Sequence, residues 1–211
     1  MIVATQAQLN YALESICPAS AYAATRHIAP DDHLALSPGE SRALAGAVAG
    51  VRNASGAARG VAKALLRGIG KEAVEILRAP EGFPVWPEGF VGSLSHTRTV
   101  AAAIVARSDS FDCLGIDIEE PEEVESELAR LIVREEEEWA IRVGMISIRQ
   151  VFSVKEAVFK ALYPRDRVML DFQDVALDFE TGSAMTRYGA AVKWRSARAD
   201  AIFSVAWRPR S

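Results

Sequence analysis

Asp117 and Glu119 are the side chains of this sequence best spaced for chemistry, two residues apart in the β-prone run Gly115-Ile116-Asp117-Ile118-Glu119. Side chains two apart on a strand share a face, so these carboxylates repel one another unless solvent, a proton or a cation intervenes. A hard cation such as Mg²⁺ is usually held by one or two carboxylates, with phosphate oxygens and water completing its shell. Taken alone, the pair is equally the solvated polar face of a strand. A second group lies in Phe152-Ser153-Val154-Lys155-Glu156-Ala157-Val158-Phe159-Lys160-Ala161-Leu162, which is apolar nearly all round and so is predicted to form a buried helix. Glu156 and Lys160 are one turn apart on it and Lys155 adjoins them, presenting an acid and two cations together. The carboxylate suits a metal or a proton, and the ammonium groups suit phosphate oxygens. The plainer reading is a Ser153-x-x-Glu156 capping box with a stabilising Glu156–Lys160 helical pair. His96 follows Ser93 and Ser95 at the end of a glycine-containing loop, where hydroxyls, amides and an imidazole could meet an anion. Equally, it is a histidine satisfied by a neighbouring carbonyl. Arg59, Lys63, Arg67 and Lys71 recur every fourth residue, forming a basic face for phosphate or an acidic protein, or one that is simply solvated. No Gly-x-Ser-x-Gly elbow, Walker loop or kinase glycine loop occurs.

These side chains need elements to position them, and composition allows a globular fold. The 211 residues are 50% apolar and 25% charged, enough for one sizeable core or two small ones. Lys and Arg number 24 against 28 Asp and Glu, a net charge of -4 that argues against general affinity for nucleic acid. Cys17 and Cys113 are too few for a disulfide framework or a zinc site and point to a reducing compartment, the cytoplasm by default. Glu14, Pro18 and Arg26 interrupt the first thirty residues, and no run reaches membrane-spanning length. The chain therefore reads as neither secreted nor spanning.

An Ala-rich, mainly helical N-terminal third is expected, with a helix start at Ser37-Pro38-Gly39-Glu40 and an amphipathic helix over 59–71. Residues 80–89, with three prolines, read as a loop leading into 91–96, followed by a strand over 100–106. Residues 111–119 alternate as a strand, with Leu114, Ile116 and Ile118 on one side and Gly115, Asp117 and Glu119 on the other. An acidic helical stretch is expected over 122–139 and a helix over 150–162, ended by Tyr163-Pro164. The segments 175–179, 190–194 and 201–207 suggest an antiparallel sheet in the C-terminal half. The class is α+β, with two subdomains meeting near residue 112.

In their order along the chain these features resemble the 4′-phosphopantetheinyl transferases of the surfactin and enterobactin type. The hallmarks of that family are Ser-His before the strand, Gly-x-Asp-x-Glu, and (Trp/Phe)-(Ser/Thr)-x-Lys-Glu-(Ala/Ser)-x-x-Lys. All three are present, as Ser95-His96, as 115–119 and as 152–160. The run from Pro84 to His96 is similar to the siderophore-synthase branch, and Arg52, Arg59 and Lys63 fall where the family keeps an Arg-rich helix. Departures are Ala58-Arg59 for a Gly-Arg step, Val51-Arg52 for paired arginines, and Phe83 for the lysine that many members place before the loop proline.

The resemblance implies a pseudo-twofold α+β fold of two similar subdomains, 1–112 and 113–211, in one monomeric chain with coenzyme A in the cleft between them. It implies that Asp117, Glu119 and Glu156 bind Mg²⁺. Arg52, Arg59, Lys63, Ser95, His96, Asp117, Lys155 and Lys160 would contact coenzyme A, with Glu156 and Lys160 catalytic. The implied reaction moves the phosphopantetheine arm of coenzyme A onto a serine of an apo acyl or peptidyl carrier protein and releases adenosine 3′,5′-bisphosphate. Siderophore or other secondary metabolism is the implied setting, and neither nucleic acid nor membrane is an expected partner. Two other readings of the same residues are a different Mg²⁺-dependent phosphoryl or nucleotidyl transferase, and a non-catalytic module whose basic helix engages an acidic protein.

Overall fold

A computed structural model describes residues 5–210. Helix α1 (Gln6–Ile16) starts from a reciprocal cap between Thr5 and Gln8 and sends Leu9, Leu13 and Ile16 inward. Strand β1 (Ala21–His27) follows, against the expectation of a mainly helical N-terminal third. Alanine favours a helix by only tenths of a kcal/mol over most residues, and a seven-residue antiparallel register, from Ala21 opposite Ala106 to His27 opposite Val100, overrides it. The expected helix start is present: α2 (Pro38–Arg42) is capped by Ser37, with Glu40 reaching back to the cap. Helix α3 (Ala49–Gly68) is longer at its start than expected and ends before Lys71. Short strands β2 (Leu77–Arg78) and β3 (Pro84–Val85) pair across the proline-rich loop. Residues 91–96, expected as a glycine-containing loop, lie in strand β4 (Phe90–His96), which pairs along its length with β5 (Val100–Arg107).

The C-terminal half begins with β6 (Phe111–Glu119), with the bounds read from its alternation. The acidic stretch is broken rather than one helix: α4 (Ser126–Ile132), a 3-10 turn at Glu135–Glu137 and α5 (Glu138–Arg142). Helix α6 (Ile148–Asp166) runs past the expected stop and carries Pro164 within its last turn. A proline so close to the end forfeits little, and Arg167, left-handed with φ 55°, closes the helix by donating its N–H to the Tyr163 carbonyl. The cap is Ser147 with Gln150, not Ser153, which is buried within the helix. Strands β7 (Val175–Asp178), β8 (Ser183–Thr186), β9 (Ala191–Arg198) and β10 (Ile202–Pro209) complete the chain, β8 being unforeseen.

Beside the β2-β3 ribbon, two larger antiparallel sheets form among the described residues, ordered β1-β5-β4 and β6-β10-β9-β8-β7. They share one core, in which Ile104 and Ala106 of β5 meet Ile116 and Ile118 of β6, Phe203 and Val205 of β10, and the apolar face of α1. Each sheet is covered on its far side by one long helix: α3 lays Val61, Ala62 and Leu66 on Ala103 and Val105. Correspondingly, α6 packs Val154, Ala157, Val158 and Ala161 against Cys113 and Ala206. The fold is thus α+β, with a sheet and an outer helix repeated in each half. Among the described residues no helix is long and apolar enough to cross a membrane.

Candidate functional site

The motif Gly-x-Asp-x-Glu is legible as packing before it is legible as chemistry. With Leu114, Ile116 and Ile118 in the shared core, the alternate residues of β6 face α6. A Cβ at Gly115 would stand 2.1 Å from the Ala157 carbonyl oxygen and 2.6 Å from the Ala161 nitrogen. Only glycine therefore admits the helix this close. The next two positions on that face are Asp117 and Glu119, which is how one strand brings its acids to the helix carrying Glu156 and Lys160.

Lys160 Nζ lies 2.6 Å from Asp117 Oδ1 and donates to Ser95 Oγ at 3.0 Å. Ser95 in turn donates to Asp117 Oδ1 at 3.1 Å and accepts the Ile118 N–H at 3.3 Å. Because Ser95 sits on β4, this knot ties the two halves together. Asp117 is 3% exposed, and its Oδ2 has no hydrogen-bond partner among the described residues. Glu119 faces Arg149, whose Nη1 is 3.3 Å from Oε2. Even so, burial, and then the charge of Asp117, push the Glu119 pKa up to about 7, outweighing Arg149 and Lys160, with Glu156 adding to the rise. Glu156 is partly buried and makes no hydrogen bond or ion pair with a described residue. Its pKa is raised, by burial first and by Asp117, against the pull of Lys160.

Three carboxylates thus lie within one another's fields. Among the described residues no three His, Cys, Asp or Glu side chains are already gathered as a metal cage. The donor set still fits Mg²⁺, being oxygen only, with the buried Asp117 Oδ2 left over. The raised pKa of Glu119 has a measurable sign. A carboxyl whose folded pKa, about 7, exceeds its ordinary 4.5 binds its proton more tightly when folded, so its contribution to stability is lost as pH rises from about 4.5 to 7. In EDTA the melting temperature of Glu119→Gln is therefore expected to gain on wild type between pH 5 and pH 8. A constant difference across that range would show that Glu119 ionises normally.

Beside these acids opens a cleft of about 560 Å³ lined from both halves. Val48, Val51 and Ala54 come from the start of α3, His96, Thr97 and Arg98 from the β4–β5 turn, and Glu119, Glu120, Glu122 and Arg149 from the C-terminal half. His96 is open to solvent, with Nδ1 3.2 Å from the Thr97 carbonyl. The protein around the ring lowers its pKa against that carbonyl, a shift that solvent screening reduces. Arg98 crosses between the halves to grip Glu120 with two bonds, 3.1 and 2.5 Å. Arg52 keeps a buried Nε without a hydrogen-bond partner among the described residues.

Three side chains expected at coenzyme A are engaged elsewhere. Arg59 is 6% exposed and donates to the Ile76 carbonyl at 2.8 Å and to Ser55 Oγ, so it does not belong to an outward basic face. Lys63 is committed to Glu40, whose Oε2 is 2.6 Å away and which also accepts the Ile76 N–H at 2.8 Å. Lys155 is 1% exposed, 2.7 Å from Glu137 Oε2, and donates to the carbonyls of Ile132 at 2.8 Å and Phe172 at 3.0 Å. Lys155 and Lys63 are thus paired with carboxylates, Lys155 in a fully buried pair, while Arg59 is held by a carbonyl and a hydroxyl. Glu40 and Glu137 play matching parts in the two halves, each closing a cap and each binding a lysine of the long helix. Sequence reasoning passed over Glu137 because nothing distinguishes it within Glu135–Glu138. It also passed over Arg149, whose signal was a cation in the first turn of a helix.

The chain matches the family model "4′-phosphopantetheinyl transferase N-terminal domain" over residues 39–106 and the model "4′-phosphopantetheinyl transferase superfamily" over residues 113–206. It is 35% identical over 181 residues to the 4′-phosphopantetheinyl transferase Svp of Streptomyces mobaraensis, covering 79% of this chain and 72% of that one. It is 33% identical over 150 residues to the 4′-phosphopantetheinyl transferase PptT of Mycobacterium tuberculosis, covering 69% of this chain and 66% of that one. A shorter match, 36% over 93 residues, covers 41% of this chain and 37% of enterobactin synthase component D of Salmonella typhimurium.

Proposed function

The chain belongs to the 4′-phosphopantetheinyl transferase superfamily, and on that premise we propose that it moves the phosphopantetheine arm of coenzyme A onto a serine of an apo acyl or peptidyl carrier protein. Adenosine 3′,5′-bisphosphate is the leaving group. The observation that carries this reading is the junction of the two halves at Ser95, Asp117 and Lys160, with Glu119 and Glu156 in its field and the buried Asp117 Oδ2 without a hydrogen-bond partner among the described residues.

Asp117, Glu119 and Glu156 would hold Mg²⁺, which when bound neutralises charge on the pyrophosphate. The chain's own groups do the rest. Lys160 presents an ammonium group at the same carboxylate and can share it with a phosphate oxygen; Arg52 adds donors beside the cleft, and His96 adds one at the cleft when its imidazole is protonated. Glu156, whose pKa burial raises, takes the proton of the carrier serine on a carboxylate oxygen left free of the metal, directly or through water, as the serine hydroxyl oxygen attacks the phosphorus. The bond to the nucleotide phosphate then breaks, and catalysis is mainly positioning and charge neutralisation. Residues 1–112 and 113–211 act as two subdomains enclosing coenzyme A, the co-substrate, in one monomeric chain working in the cytoplasm. The likeness to enterobactin synthase components supports a siderophore or related secondary pathway.

Incubation with coenzyme A, Mg²⁺ and a panel of apo carrier proteins tests the proposal by intact mass. One phosphopantetheine is expected on the carrier serine, absent when EDTA replaces Mg²⁺. No adduct on any fatty-acid, polyketide or peptide carrier would overturn the reading.

A further inference from the structure

We propose that Arg149 is the internal counter-ion of the cleft, holding Glu119 until a divalent cation displaces it and so competing with that cation for the carboxylate. The inference rests on the metal-site reading above. Arg149 is the second residue of α6, where the helix dipole disfavours a positive charge. Contacts beyond its own backbone must therefore hold it. Its guanidinium donates through Nε to the Glu122 carbonyl at 3.2 Å and through Nη2 to the Glu123 carbonyl at 3.3 Å. Nη1 reaches Glu119 Oε2 at 3.3 Å, and the group lies 5.8 Å from the centre of the Phe152 ring.

The two carbonyl bonds do not depend on what Glu119 is doing. A guanidinium carries its donors in a fixed planar fork, so Nη1 can lose Glu119 while the other nitrogens stay anchored. Arg149 and Glu122 also line both the cleft beside Glu119 and a neighbouring one of about 630 Å³ that includes Ile141, Ile146 and Ile202. The arginine is thus the wall between them, tied at once to the end of β6, to residues 122–123 and to α6. Once released from Glu119, its Nη1 stands at the cleft wall as a donor for a phosphate oxygen. Arg149 is on this view a positioning residue with a charge that metal occupancy redirects.

Mn²⁺ binding without coenzyme A, read as loss of the free-ion paramagnetic resonance signal, separates this role from a purely structural one. Arg149→Gln, which removes the charge and keeps a donor, is expected to bind Mn²⁺ about three- to tenfold more tightly than wild type, the scale of deleting one partly screened neighbouring cation. Arg149→Lys, which restores the charge, is expected to return toward wild type. Affinity unchanged or weakened in Arg149→Gln would overturn the inference. Should that variant not fold, Arg149→Leu, which keeps the stem on Phe152, carries the same expectation. Glu119→Gln is expected to weaken Mn²⁺ binding and to erase the effect of Arg149. If Glu119→Gln leaves binding untouched, the metal site itself is wrong and the inference falls with it. If binding depends on Glu119 but is not tightened by losing Arg149, only the inference falls.

Discussion

Replacing Glu156 with glutamine is expected to lower the rate of phosphopantetheine transfer by about two to four orders of magnitude, the usual worth of a positioned general base. The fold should not suffer. Among the described residues Glu156 has no hydrogen-bond or ion-pair partner to lose, and burial already works against its charge. A neutral isostere relieves that cost, so the melting temperature is expected to hold or rise while turnover collapses. The split matters because a purely structural Glu156, capping or pairing within its helix, would give the opposite pattern. Intact-mass kinetics on an apo carrier, beside thermal melts, read both quantities. Transfer within about threefold of wild type would remove Glu156 from the chemistry.

The second large effect is expected at Lys155 and is one of stability. Lys155 and Glu137 are 1% and 0% exposed and 2.7 Å apart. Burial lowers the lysine pKa, with Glu137 holding it up. Removing one member of such a pair leaves an unpaired buried charge, costing about 3–5 kcal/mol, whereas replacing both by apolar groups is often neutral. Glu137 also accepts the Leu177 N–H at 2.9 Å and the Arg134 N–H at 3.0 Å, so its carboxylate cannot simply turn to solvent. Lys155→Met is therefore expected to lower the melting temperature by about 10 °C for a chain of this size, and Glu137→Gln added to it, which removes the unpaired charge while its amide oxygen still accepts the Leu177 N–H, should recover part of the loss. The folded fraction should keep a KM for coenzyme A within about threefold of wild type. A tenfold rise in that KM with an unchanged melt would return Lys155 to the phosphates. Helix α6 therefore has two working sides, one holding the segment 132–137 in place and one facing the acids of β6.

That division was half visible in the sequence. At 3.6 residues per turn, Glu156 and Lys160 stand about 40° apart around the helix and Lys155 and Lys160 about 140° apart, so one acid and one cation share a face and the second cation does not. Reading all three as presented together ignored that angle. Strand β6 was better read, because an alternation of period two fixes both faces at once and Gly115 marks the covered one. Strand β1 and strand β4 were missed, since Ala-rich or Ser/Gly-rich stretches carry little hydropathy contrast, and only pairing with β5 decides them. Arg59 misled for a related reason. Spacing of four put it on a basic stripe, but Ser55 and the Ile76 carbonyl turn it inward.

What the sequence alone determined was a set of local relations: which acids share a face of β6, which acid and lysine share a face of α6, and the order in which the family motifs occur. Those follow from backbone periodicities that hold in any fold. What only the tertiary structure decided was which face meets which. A helix apolar nearly all round can be buried by any neighbour, and a buried cation takes whichever carboxylate the packing supplies. Thus Lys160 falls to Asp117 and Ser95, Lys155 to Glu137, and Lys63 to Glu40. The Asp117–Glu119 pair acquired Glu156 and Arg149 as neighbours only because Gly115 lets α6 close on β6.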